Sequence, residues 1–96
     1  MEKTFKDKWT KDVSALGIEA LCKYNLDNLK AGSKYKVTHI RMTTDFTFIS
    51  LDGLEDSFNS VDFKFFLDGK EHDIYTDERC FSDALKARHA ALENIP

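Results

Sequence analysis

Two cysteines and three histidines are the residues best suited to chemistry in this 96-residue chain. Cys22 and Cys80 stand 58 residues apart and belong to no CxxC or Cys/His cluster. A structural zinc takes four ligands at short paired spacings. His39, His72 and His89 are too scattered to supply them with the two thiols. A disulfide needs an oxidising compartment, and the opening Met1-Glu2-Lys3-Thr4-Phe5-Lys6-Asp7-Lys8 lacks the apolar stretch of a secretory leader. Two buried thiols in the cytosol are therefore expected. A cysteine nucleophile needs an adjacent base, yet Cys80 lies eight residues after His72 and nine before His89, on different expected elements. Asp73 and His72 could be drawn as an acid/base pair. As neighbours on a strand they point to opposite faces. The glycines Gly17, Gly32, Gly53 and Gly69 are isolated, so no Walker loop or nucleophile elbow exists. The expectation is a protein that is not an enzyme, with no cofactor and no metal.

The elements that would position any such groups are limited by size. A chain of 11.1 kDa hides about 65% of its surface on folding, enough for one core but not for a deep enclosed site as well. Apolar residues make up 42% and charged residues 32%, a globular balance. Apolar runs such as Phe65-Phe66-Leu67 are too short to span a bilayer. With no linker, repeat or low-complexity tract, residues 1–96 read as one domain.

The charge is unevenly distributed. The chain carries −3 in total. Residues 1–44 hold nine Lys/Arg against five Asp/Glu, a net of +4, whereas residues 45–85 hold three against eleven, a net of −8. A negative middle steers toward a basic partner and disfavours nucleic-acid duplexes.

Trp9, Val13, Leu16 and Ala20 recur at spacings of four, three and four, which predicts a helix over about 5–16 ending at Gly17. A strand over about 18–24 follows, although one helix reaching Tyr24 fits the same residues. Alternation predicts strands over about 35–42, 45–51, 60–67 and 71–75. Asp52-Gly53 and Asp68-Gly69 are turn dipeptides. In the third of these strands Val61, Phe63 and Phe65 share one face. His39 has the parity of Tyr35 and Val37, as a core-edge histidine would. A helix over about 77–93 closes the chain, capped at Thr76-Asp77 or later at Ser82. The fold class is α+β: a small antiparallel sheet or open barrel of four to five strands with a helix at each end.

The run from Leu29 through Gly32, Tyr35 and Val37 to Phe58-Asn59-Ser60-Val61-Asp62-Phe63 resembles small SH3-like barrel proteins of bacteriophages. It covers about residues 29–63. The resemblance implies an SH3-like open barrel and a viral origin, and leaves both terminal helices as additions on which a partner surface could be built.

These readings lead to a non-enzymatic protein-binding module, phage-encoded, which docks on a host protein in the host cytoplasm and inhibits or redirects it, a host defence complex being one example. The candidate partner-binding residues are Asp52, Glu55, Asp56, Phe65, Phe66, Asp68, Glu71 and Asp73. The two adjacent phenylalanines cannot both face inward from one strand. The partner expected is a host protein with a basic surface. Two other readings use the same residues. One is a single-strand nucleic-acid binder stacking bases on strand 61–67 beside Lys64. The other is a structural or assembly homodimer pairing through edge strand 71–75. No membrane partner is expected.

Overall fold

The computed structural model describes residues 8–26 and 28–93. The elements are β1 (Thr10–Asp12), β2 (Glu19–Cys22), β3 (Lys34–Met42), β4 (Thr47–Leu51), β5 (Ser57–Asn59), β6 (Phe63–Leu67), β7 (Lys70–Glu71) and α1 (Asp83–Glu93). Short 3-10 turns occupy Ser60–Asp62 and Glu78–Cys80.

All ladders are antiparallel, in the order β5-β4-β3-β2-β6-β7, with β1 added to β3. The nine residues of β3 organise the sheet. Its first half pairs with β2 (Ala20 opposite Tyr35) and its second half with β1 (Lys11 opposite Ile40). Along the other edge it pairs with β4, Ile40 opposite Ile49. The ladder path is open, with β5 at one end and β7 at the other, and forms no closed barrel.

No helix forms at the start of the described chain. Trp9, Val13, Leu16 and Ala20 do all contribute to the core, but from a strand, a turn and a second strand. The turn starts when Asp12 Oδ1 accepts from the Ser14 amide and hydroxyl at 2.9 and 2.6 Å. It ends at Gly17, whose φ of +80° suits glycine. Val13 N–H donates to Thr38 O and Val37 N–H to Ile18 O, both at 2.9 Å, so β3 takes up the hydrogen bonds a helix would have kept internal. Residues 5–7 of the expected helix lie outside the described residues.

Strand β3 also bulges between Val37 and His39. Val37 and Ile40 are both buried, so the inward parity changes at the bulge. His39 is thereby turned out of the core face, half-buried, with Nε2 3.8 Å from Asp12 Oδ2.

Of the expected strand 60–67, residues 60–62 form the 3-10 turn that follows β5, and only Phe63–Leu67 is strand. Asn59 caps that turn through Oδ1, which accepts from Val61 N–H at 3.2 Å. Val61 therefore leaves the face of Phe63 and Phe65 and is 62% exposed. Of the expected strand 71–75 only Glu71 lies in β7, His72 N–H still donates to Phe65 O at 2.8 Å, and residues 74–76 form a turn. At the C-terminal end, Asp77 caps the 3-10 turn and Ser82 Oγ accepts from Leu85 N–H at 3.2 Å to start α1. The helix thus starts later than position 77 because two caps act in series.

One apolar cluster runs through these elements, including Ile18, Val37, Ile40, Ile49, Phe63, Ile74 and Leu85. Each fully buried isoleucine or valine contributes about 1.5–3 kcal/mol relative to exposure. Cys22 and Cys80 are free and buried in it.

Candidate partner-binding surface

Asp52, Glu55 and Asp56 are exposed on the connection from β4 to β5. That connection is held at its base. Asp52 N–H donates to Lys36 O at 2.9 Å, Leu54 N–H to Leu51 O at 3.2 Å, and half-buried Leu54 packs on the core. Gly53 supplies the positive φ of the turn, +82°. Beyond Asp56 a groove runs beside β5. Asp56, Ser57, Phe58, Asn59 and Asp62 line it from one stretch of the chain, and Asn25, Leu26 and Asn28 form the opposite wall. The opposite wall is ordered by backbone pairing of Leu26 with Leu29 and by Asn25 Oδ1, which accepts from Ala31 N–H at 2.9 Å.

The remaining candidates lie at β6 and β7, the other end of the strand order. Phe65 is only 5% exposed and belongs to the core. It is a core residue and not the contact residue expected, because it shares the buried face of β6 with Phe63 and pairs with buried Ala20. Phe66, on the opposite side, is half-buried, with Lys34 Nζ 5.0 Å from its ring centre. Asp68 (φ +53°) and Gly69 (φ +77°) make the tight turn between the two strands. Glu71 is exposed on β7 opposite Phe66. Asp73 is committed to its own turn, its Oδ1 accepting from Tyr75 N–H at 2.8 Å. The eight candidates thus fall into two groups on different hairpins.

Two arrangements went unread in the sequence. In the first, His72 Nε2 lies 2.7 Å from Asp77 Oδ2. The Arg79 guanidinium donates to both Asp77 oxygens, from Nε at 2.9 Å and Nη2 at 2.7 Å. Arg79 holds the Asp77 carboxyl well below the usual carboxylate range, with His72 helping and burial opposing. The neighbouring Cys80 thiol is pushed up to about 12, first by burial and then by the Asp77 charge. These groups satisfy one another and hold the 72–80 segment in place. Among the described residues no group of three or more His, Cys, Asp or Glu side chains is placed to hold a metal.

In the second, Phe46, Val61 and Tyr75 converge. They are three of the four large apolar side chains exposed among the described residues, at 43%, 62% and 47%. All three line one shallow depression together with the 43–47 loop, Asn59 and Ser60. The two rings have neighbours that hold them. Phe46 meets Phe48 edge-on at 4.9 Å and carries the Arg41 guanidinium 5.6 Å above it. The Tyr75 hydroxyl lies 2.6 Å from Ser60 Oγ. The expected strands 45–51, 60–67 and 71–75 put Phe46, Val61 and Tyr75 on three separate elements. Only the chain's exit into a 3-10 turn after β5 brings them together.

Among the described residues, no helix is long and apolar enough to cross a membrane. No curated protein and no solved structure matches the chain. The family model described as Bacteriophage T4 protein Y07B matches residues 18–86. That match runs from the start of β2 to the first turn of α1 and takes in both candidate groups, the groove and the apolar depression. The expected phage origin is supported on most of the chain's length, and the chain belongs to the bacteriophage T4 protein Y07B family.

Proposed function

We propose that the chain is a phage accessory protein that works without chemistry of its own, docking on a host protein in the host cytoplasm and inhibiting or redirecting it. A host defence complex is one target of this kind. The observation that carries the reading is the convergence of exposed Phe46, Val61 and Tyr75 on one depression. Large apolar side chains gathered at a surface mark protein-interaction sites, with aromatic residues prominent among the anchors. The −8 balance of residues 45–85 favours a basic partner.

The nucleic-acid alternative has less support. Phe63 and Phe65 are buried, so β6 offers no row of free rings for bases. Self-pairing through β7 has only the two residues Lys70–Glu71 to work with.

The test is affinity capture from host lysate at low salt, with the whole protein as bait. A host protein retained by the wild type and lost with the Phe46→Ala/Val61→Ala variant is expected. No host protein retained, or one retained equally by the variant, overturns the reading. Replacing Asp52, Glu55 and Asp56 with lysine is expected to slow association with that protein, and an unchanged on-rate removes electrostatic steering by this hairpin.

A further inference from the structure

The polar groups in the depression of Phe46, Val61 and Tyr75 select what enters it. Asp45 is the one charged residue of its lining. It is exposed, and its carboxylate makes no ion pair or hydrogen bond with the described residues. The backbone that carries it is ordered by Thr43, whose Oγ1 accepts from the Asp45 and Phe46 amides, both at 3.3 Å, and donates to Phe46 O at 3.2 Å. Thr47 supplies a second, independent observation. It lines the depression from the first position of β4 and is only 8% exposed. Its hydroxyl nevertheless has no hydrogen-bond partner among the described residues. Buried polar side chains are nearly always paired, and among the described residues no fully enclosed side-chain oxygen or nitrogen lacks a partner. The Thr47 hydroxyl is therefore reachable from outside, and the depression is the opening it lines. Buried Ser60 and the Tyr75 hydroxyl add two further oxygens to the same lining, 2.6 Å apart.

A carboxylate only accepts hydrogen bonds, and a hydroxyl oxygen has two lone pairs to offer. The occupant that complements this lining is a cation rich in N–H donors, with a flat body to lie on aromatic rings. A cavity of about 370 Å³ has room for one such side chain. An ammonium is compact and strongly hydrated, whereas a guanidinium is planar, weakly hydrated, carries five donors and stacks on rings. Phe46 already takes one guanidinium, that of Arg41 at 5.6 Å from its centre, and Arg41 is not among the residues that line the depression. We infer that the depression receives a single arginine side chain of the partner protein. Its guanidinium meets the Asp45 carboxylate and the Thr47 hydroxyl, and its plane lies on the aromatic wall of Phe46 and Tyr75. The site is that of the docking role proposed above, on which this assignment rests, and arginine is the group it selects.

The test titrates the whole isotope-labelled protein with the acetylated tripeptide amides Ala-Arg-Ala, Ala-Lys-Ala and Ala-Leu-Ala at low salt. Resonances of residues 43–47, 59–61 and 75 are expected to shift saturably with the arginine peptide, and the other two peptides to bind at least about threefold more weakly. Asp45→Asn is expected to weaken the arginine peptide about twofold to fivefold, and Thr47→Val about twofold to tenfold. Three results overturn the inference: no saturable shift at these residues with the arginine peptide, lysine or leucine peptide binding as tightly, or neither substitution weakening it. The first two are read on the wild type and do not depend on a variant folding. The capture experiment separates this assignment from the docking role. A host protein lost with Phe46→Ala/Val61→Ala, while the arginine peptide fails to bind, leaves the docking role standing and removes arginine as its anchor. An arginine peptide that binds as expected, with no host protein captured, keeps the arginine site and overturns the docking role alone.

Discussion

His72 and Asp77 are joined by a 2.7 Å contact between Nε2 and Oδ2 that closes the segment 72–77 after the edge strand β7. Asp77 is the centre of this arrangement. One oxygen accepts from the Arg79 backbone at 3.0 Å to cap the 3-10 turn, and both meet the Arg79 side chain. The segment between β7 and α1 has almost no regular backbone pairing of its own, so this carboxylate substitutes for it.

Stability should therefore fall in acid. The Asp77 carboxyl is held below its ordinary value of 3.8, chiefly by Arg79, and Asp12 is held down by the Ser14 hydroxyl and amide. A group whose folded value is depressed stabilises fully above its unfolded value and loses that contribution as pH falls toward the folded one. Urea midpoints should be level from pH 7 to about 5 and decline below about 4. Asp77→Asn should flatten part of that decline and lower stability at neutral pH by about 1 kcal/mol for the weakened cap. A variant with the wild-type acid slope would disprove the assignment.

Cys80 should be inert in the native state. Its thiol is buried and pushed up to about 12, so the thiolate is scarce at pH 8. Mass spectrometry after iodoacetamide at pH 8 should find Cys80 unmodified in the folded protein and modified in urea. Rapid native labelling would place it at the surface.

Phe65 and Phe66 should differ sharply although they are neighbours. Phe65 is in the core, and its replacement by alanine should cost about 3–5 kcal/mol. Phe66 is half-buried beneath Lys34, and its replacement should cost about 1 kcal/mol. Equal losses in equilibrium unfolding would mean that the two sides of β6 are equally covered.

The strands that alternate plainly were legible. Strands β2 and β4 fall within the expected spans and β3 exceeds its span by Lys34 alone, because Val37, Ile49 and Leu51 are buried where the period of two puts them. Local exceptions hid the rest. The helical spacing of Trp9, Val13, Leu16 and Ala20 is produced by a strand, a turn and another strand, and period alone cannot separate those cases. The bulge after Val37 turned His39 away from its expected side. The Asn59 cap took Val61 out of a strand it would otherwise have continued. At the candidate surface, the acidic β4–β5 hairpin was readable from composition. The meeting of Phe46, Val61 and Tyr75 was not, since it joins residues 15 and 14 positions apart along the chain. His72 with Asp77 required a turn at 74–76 where a strand was expected.

Because β3 alone receives β1, β2 and β4, the order of assembly is constrained. The β3–β4 hairpin closes over only the short 43–46 loop, whereas the β2–β6 ladder joins residues more than forty positions apart, as in Ala20 with Phe65. Nearby contacts carry the smaller loop-closure cost and form first. Substitutions at Ile40 or Ile49 should slow refolding, while those at Ala20 or Phe65 should mainly hasten unfolding. The reverse pattern in stopped-flow traces would place the nucleus at the other ladder.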